Sequence, residues 1–419
     1  MTTTIRVGLL IDGIAEEPLS NAVVTIVDSV ISKITSSSNR LMPSDDERVM
    51  DLPDYTMLPG LIDAHVHLGN PVVSDSYKYR VETDPSLGLF YTANSAQRAL
   101  KAGFTTLRNM GSIECVAVRS AIEKRLIPGP RLFTSGMLIM TGGHTDRSLP
   151  RRVVRDHVVP ADGVSQVRRR VRELVFAGCD FIKFEATGGL GLSGGADSPH
   201  VLNYSKSEIE AIVDEAHALG VRVAAHAHGK QGILRAVKAG ADSIEHGSYL
   251  DDECVNEMLN HKTFLVPTLA ILEDTATRGS SLGYSGTVVS NAAELQASRR
   301  ERVAQAHSRG VPIVLGTDSS GWVAPHGKNA KELELLHGAG LTAMESIKSA
   351  CSVAARLIGI EDSIGTIEPG KKADFIIVRQ NPLQDLSILQ AEENISMVWK
   401  EGIAVVDRLT QDGSLKWTT

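Results

Sequence analysis

The sequence is short of thiols, with four cysteines in 419 residues: Cys115, Cys179, Cys254 and Cys351. None is close to another, so a zinc-knuckle or CxxC site is excluded and a reduced, cytoplasmic protein is expected. No apolar run is long enough to cross a bilayer, so no membrane partner is expected. The N-terminus lacks a basic segment followed by an apolar core. Asp12, Glu16 and Glu17 interrupt it early, which argues against a signal peptide. There is no excess of positive charge: 43 basic residues stand against 50 acidic ones, a formal net charge of -7. The basic residues are scattered, apart from Arg151-Arg152 and Arg168-Arg169-Arg170. No nucleic-acid partner is expected on that ground.

What is present is globular. The chain is 42% hydrophobic and 22% charged, with 37 glycines and 16 prolines, which points to neither disorder nor a fibre. Its length suits a barrel with an accessory domain. The first segment, "IRVGLLIDG" and "AVVTIVDSVISKI", is apolar and β-branched, and a polar connector follows it. The last, "GTIEPGKKADFIIVRQ" and "NISMVWKEGIAVV", has the same character. Between them, eight short apolar strands alternate with amphipathic stretches: "MLPGLIDAHVHL", "FTTLRNMG", "RLFTSG", "FIKFEATGG", "RVAAHAHG", "SIEHGS", "FLVPTLA" and "PIVLGTDSS". Helical patterns such as "YSKSEIEAIVDEAHALG" and "ASRRERVAQAHSRG" close on glycine, as a helix C-cap does. The expected architecture is therefore α/β: a (β/α)8 TIM barrel over 58–363, with a small β-sandwich built from 1–57 and 364–419.

Catalytic groups in a parallel barrel sit at the C-terminal ends of the strands. The first strand ends His65-Val66-His67, and strand alternation turns both imidazoles to one face. The fourth carries Lys183, costly in an apolar strand unless paired. Either it pairs with Glu185 on the same face, or burial and nearby cations free its amine to react with carbon dioxide and bridge metals. The fifth strand offers His226 and His228, the sixth His246, and the eighth Asp318, which is alternatively a helix N-cap. Spacing does not choose between His226 and His228. Nitrogen and oxygen donors without thiolates suit zinc, or else manganese, iron, cobalt or nickel.

These segments, with "GTIEPGKKADFIIV", resemble the amidohydrolase superfamily from about residue 8 to 405. "TGGH", "HAHG", "SIEHGS" and "PHGKNAKELELL" resemble the branch of Xaa-Pro dipeptidases, Lys/Arg-releasing carboxypeptidases and ochratoxin-hydrolysing amidases. The resemblance implies two divalent ions, zinc foremost. His65, His67 and Asp318 would hold the first, and His226 (not His228) and His246 the second. Lys183, carboxylated, would bridge both. It also implies substrate contacts from His144, His228 and His326, and a homo-oligomer. Tyr204 is either a further contact or a core residue.

The reaction implied is hydrolysis of the amide in a dipeptide or N-acyl amino acid, a small-molecule substrate, by water activated between the two ions. Asp318 is the catalytic proton carrier. An N-acyl-phenylalanine of the ochratoxin kind is within that class. A lactonase or esterase on the same site is the alternative chemistry. A mononuclear deaminase is disfavoured by Lys183, and a metal-free assembly protein by the presence of all six ligands. Specificity is expected in loops 70–88, 144–160, 190–204 and 272–290.

Overall fold

The computed structural model describes residues 2–42, 47–70, 79, 82–148, 159–190, 197–321, 323–410, 414 and 415. Arg151, Arg152 and parts of the expected specificity loops 70–88, 144–160 and 190–204 lie outside the described residues.

Four strands open the chain: β1 (Thr2–Leu10), β2 (Leu19–Val27), β3 (Val30–Ser36) and β4 (Arg48–Pro59). Eight follow: β5 (Leu61–Val66), β6 (Phe104–Asn109), β7 (Arg131–Thr134), β8 (Met137–Leu138), β9 (Phe181–Glu185), β10 (Arg222–Ala227), β11 (Ser243–His246) and β12 (Phe264–Val266). Three close it: β13 (Phe375–Val378), β14 (Ile395–Lys400) and β15 (Ile403–Asp407). The outer strands form one seven-stranded sheet in the order β15-β14-β13-β4-β1-β2-β3. β4 runs through the boundary expected at 57/58: Leu58 and Pro59 still pair with Ile376 and Phe375. Alternation along β13 serves two cores at once. Phe375 and Ile377 pack with Ile5, Val7, Met57 and Trp399, while Ile376 and Val378 pack into the large central core.

The middle strands form parallel sheets, β5-β6-β7 and β8-β9-β10-β11-β12, so the protein is α/β. Helices connect them: α1 (Pro85–Lys101) follows β5, α2 (Cys115–Glu123) follows β6 and α3 (Val164–Phe176) follows β8. Then come α4 (Lys206–Ala218), α5 (Lys230–Ala239), α6 (Asp252–His261), α7 (Leu269–Arg278) and α8 (Gly286–Ser308). α4 starts at a capping box in which Ser205 and Glu208 satisfy each other's backbone N–H.

Hydrogen bonds also cross between the two sheets. Asp180 N, just before β9, donates to Thr134 O of β7 (2.8 Å), and Thr134 N donates to Asp180 Oδ2 (2.8 Å). On the other side, segment 312–319 bonds to both neighbours. Val314 N donates to Leu265 O (2.9 Å), Ala64 N to Leu315 O (3.0 Å), and Asp318 N to His65 O (2.8 Å). That segment was expected as a regular strand, yet it pairs only through isolated bridges. Pro312 has no N–H to give, and Asp318 leaves the extended region at φ +56°. The seventh expected strand, "FLVPTLA", is also shorter than predicted: it ends at Val266, and α7 takes over at Leu269. Among the described residues no helix is long and apolar enough to cross a membrane.

Trp399 is buried in the terminal sheet and stacks on Phe375, with centroids 5.2 Å apart. Trp399→Ala should cost about 3–5 kcal/mol, as aromatic-to-alanine changes in packed cores do. Chemical denaturation checks this, and an unchanged midpoint would mean the sheet adds little.

Candidate active site

The expected residues converge at the C-terminal ends of β5, β9, β10 and β11 and on segment 312–319. The His65 and His67 rings lie 5.4 Å apart, centroid to centroid. Both Nε2 atoms approach Asp318 Oδ1, at 3.6 and 3.2 Å. Segment 312–319 passes so close to β5 that a Cβ on Gly316 would stand 2.8 Å from the Cβ of His65. Only glycine fits there. His246 lies between the two halves of the site: its ring is 5.1 Å from that of His65 and 4.6 Å from that of His226. The His228 ring is stacked on His246 at 4.7 Å. His144 stacks on His226 at 4.9 Å.

Two residues owe their direction to unusual backbone. His246 has φ +73° and Asp318 φ +56°, left-handed values that non-glycine residues rarely adopt. At the end of β11 this breaks strand alternation, so consecutive residues Glu245 and His246 both meet His65. Such conformations cluster where the surrounding structure holds a functional geometry.

The electrostatics favour neutral imidazoles. Burial, and then the charge of Lys183, pulls His65 down to about 4. Burial likewise holds His226, His228 and His246 well below the ordinary histidine value. Burial raises Glu245, but Arg108 and the His65 hydrogen bond outweigh it and bring it down to about 2. Glu245 is thus a carboxylate. It accepts from Arg108 Nη2 (3.1 Å) and Ser243 Oγ (2.6 Å), and from His65 Nδ1 (2.7 Å). With the proton on Nδ1, His65 Nε2 keeps its lone pair. That atom is buried and has no hydrogen-bond partner.

Lys183 is 2% exposed, and burial lowers its pKa. Among the described residues it has no ion pair with Glu185, whose carboxylate accepts from Thr145 N (3.2 Å) and Thr145 Oγ1. Burial raises Asp318, but the His67 hydrogen bond and the His65, His67 and Lys183 charges hold it well below the usual carboxylate range.

The donors fit divalent ions. Two overlapping sets, His226–His228–His246 and His65–His246–Asp318, each bring their ligand atoms within 4.8 Å of one another. Neutral imidazoles, a carboxylate and an unpartnered buried nitrogen are what such an ion takes.

The three expected substrate contacts separate in space. His144 joins the cluster and is held by Asp197, both of whose oxygens lie 2.9 Å from Nδ1. Burial lowers the His144 pKa, but Asp197 and nearby carboxylates leave it raised. His228 is inside the cluster. His326 sits behind β5, with Nε2 3.3 Å from the carbonyl of His67. Tyr204 belongs to the central core, edge-on to Phe184 at 6.4 Å.

Sequence reasoning missed Glu245, Arg108, Asp197, Ser248, Thr268 and Arg299. Arg108 carried the same signal as Lys183, a cation inside an apolar strand. Glu245 was hidden by alternation, which predicts the opposite face from His246. Arg299 looks like any charged residue of a helix surface.

The parallel sheets, the strand-end donors and the buried lysine together define an α/β protein whose donor cluster could hold a metal ion. The model of the amidohydrolase family matches residues 56–405, and the chain belongs to that family. It is 34% identical over 427 residues to ochratoxinase of Aspergillus niger, covering 96% of this chain and 86% of that protein. A crystal structure of a Xaa-Pro dipeptidase with bound methionine in the active site superposes with a TM-score of 0.86. Identity there is 33%, covering 96% of this chain and 99% of the other. A prolidase complexed with N-methylphosphonate-L-proline gives a TM-score of 0.87 at 29% identity, covering 97% and 99%.

Glu245→Gln removes the charge that sets the His65 proton. Metal affinity should fall about 10–100-fold, the usual cost of losing a group that orients a ligand. Competition with a chromophoric chelator measures it, and an unchanged affinity would remove Glu245 from the account.

Proposed function

We propose that the chain is a binuclear amidase that releases an amino acid from a dipeptide or N-acyl amino acid, at the mouth of a barrel. Eight segments, β5, β6, β7–β8, β9, β10, β11, β12 and 312–319, would close the (β/α)8 ring. The hydrogen bonds from 312–319 to both β12 and β5 support this reading. Hydrolysis of a carbon–nitrogen bond is the activity of the family to which the chain belongs. The relatives named as ochratoxinase, Xaa-Pro dipeptidase and prolidase support an amino-acid amide as substrate.

One observation carries the proposal: two donor sets overlap at His246, one of them ending in half-buried Asp318, with buried Lys183 beside them. His65, His67 and Asp318 would hold one ion and His226 and His246 the other. Lys183 would bridge them, its neutral amine adding to carbon dioxide and releasing a proton to form a carbamate. Two divalent ions, zinc foremost, would lower the pKa of water from ~15.7 to about 7 and polarise the scissile carbonyl. The remaining chemistry belongs to the chain. Asp318 takes a proton from the attacking water and hands it to the leaving nitrogen, because an amide anion is too basic to depart. His144 and His228 lie within the cluster, next to His226 and His246, where a substrate oxygen needs hydrogen-bond donors.

Asp318→Asn should keep the fold, since asparagine tolerates the left-handed φ, and lower kcat by about 10²–10⁴-fold. Amino-acid release from a panel of dipeptides and N-acyl amino acids measures it; near wild-type turnover would sink the proton-carrier role. Lys183→Ala should lose metal, and a short carboxylic acid should restore part of it. Full metal occupancy in that variant without added acid would contradict the carbamate.

A further inference from the structure

Arg299 comes from α8, outside the strands, yet its side chain is 1% exposed and reaches the floor of the site. Nη1 donates to the carbonyls of Pro267 and Thr268, each at 3.2 Å. Nη2 donates to Ser248 Oγ and lies 3.5 Å from His228 Nδ1. Among the described residues no carboxylate is in ion-pair range of it. Burial pushes the guanidinium down only to about 10, so it remains a cation at neutral pH.

That arrangement decides where the proton of His228 sits. Ser248 Oγ is 2.6 Å from His228 Nδ1. A guanidinium only donates, so Arg299 takes one of the two lone pairs of Oγ, and the hydroxyl hydrogen turns away from it with Nδ1 as its acceptor. A proton on Nδ1 would also face the Arg299 donor. Nδ1 therefore accepts, and the imidazole proton is carried by Nε2. The stacked neighbour, His246, has the opposite need. Its Nδ1 is 2.7 Å from Thr268 Oγ1, and in the two-ion reading its Nε2 must keep a lone pair. The hydroxyl of Thr268 meets no Arg299 donor, because Arg299 takes the Thr268 carbonyl instead. It is free to accept the His246 proton.

We propose that Arg299, acting through Ser248, is a positioning residue that fixes His228 as an Nε2–H donor to the scissile carbonyl oxygen and keeps it from serving as a metal ligand. Two parallel imidazoles 4.7 Å apart thus have opposite tautomers and different tasks. The choice between His226 and His228, open at the level of spacing, follows from donors behind His228. Only the identity of the oxygen rests on the amidase reading; the tautomer does not.

The test is long-range proton–nitrogen NMR on zinc-loaded full chain with nitrogen-labelled histidine, with His228 assigned through His228→Asn. Wild type should show His228 with its proton on Nε2 and an acceptor-type Nδ1. Ser248→Ala should move part of that proton to Nδ1 with zinc per chain unchanged. Its kcat should fall about 10²-fold, the scale of losing one transition-state donor, with little change in KM. Arg299→Met should do the same, and Arg299→Lys should recover part of the loss. If Arg299→Met does not fold, Ser248→Ala alone decides. A wild-type His228 protonated on Nδ1 or bound to zinc would overturn the proposal. So would a Ser248→Ala protein whose His228 tautomer is unmoved. A chain that hydrolyses none of the amides tested would defeat the amidase reading and leave the NMR result standing.

Discussion

The site rests on one buried negative charge, the carboxylate of Glu245. It is wholly buried on β11 and survives as a carboxylate because Arg108 reaches it from β6. An isolated ionised carboxylate in such a place is costly, and one partner removed from a buried pair leaves the other uncompensated. Here the charge orients His65 through Nδ1, and the orphaned Nε2 of His65 is the consequence. Three strands, β5, β6 and β11, are thereby tied at their upper ends by polar contacts that apolar packing does not supply.

Around that charge the backbone does what side chains alone do not. Left-handed residues at His246 and Asp318 turn donors inward at two strand ends, and the absent side chain of Gly316 lets segment 312–319 lie against His65. The helices contribute from behind. Glu332 accepts from the N–H groups of Leu269 and Ala270 at the start of α7 (2.8 and 2.6 Å), beside Thr268, which meets His246. Burial pushes Glu332 up to about 8. The terminal sheet has a different task. Its β13 divides its side chains between its own core and the central one, which anchors the terminal sheet to the rest of the protein.

Much of this was legible in the sequence because strand-end histidines, a strand lysine and an aspartate recur in a fixed order. His65, His67 and His226 converge as period-two alternation and parallel strands require, and His246 and Asp318 reach the same place through left-handed backbone. What was not legible has specific causes. Glu245 violates alternation because of the positive φ at His246, which no spacing announces. Asp197 and Arg299 act from a loop and a helix, where a charged residue is the ordinary occupant. The irregularity of 312–319 depends on two residues, Pro312 and Asp318, whose effect is conformational. His326 has one ring nitrogen, Nε2, 3.3 Å from the carbonyl of His67, and its Nδ1 is buried without a hydrogen-bond partner.

The central claim is that these strand ends hold two divalent ions joined through Lys183. Anomalous diffraction from crystals of zinc-loaded protein tests it most directly. Two peaks are expected, one on His65, His67 and Asp318 and one on His226 and His246, with density extending from Lys183 Nζ between them. A single peak on His226, His228 and His246, with a bare lysine, would contradict it.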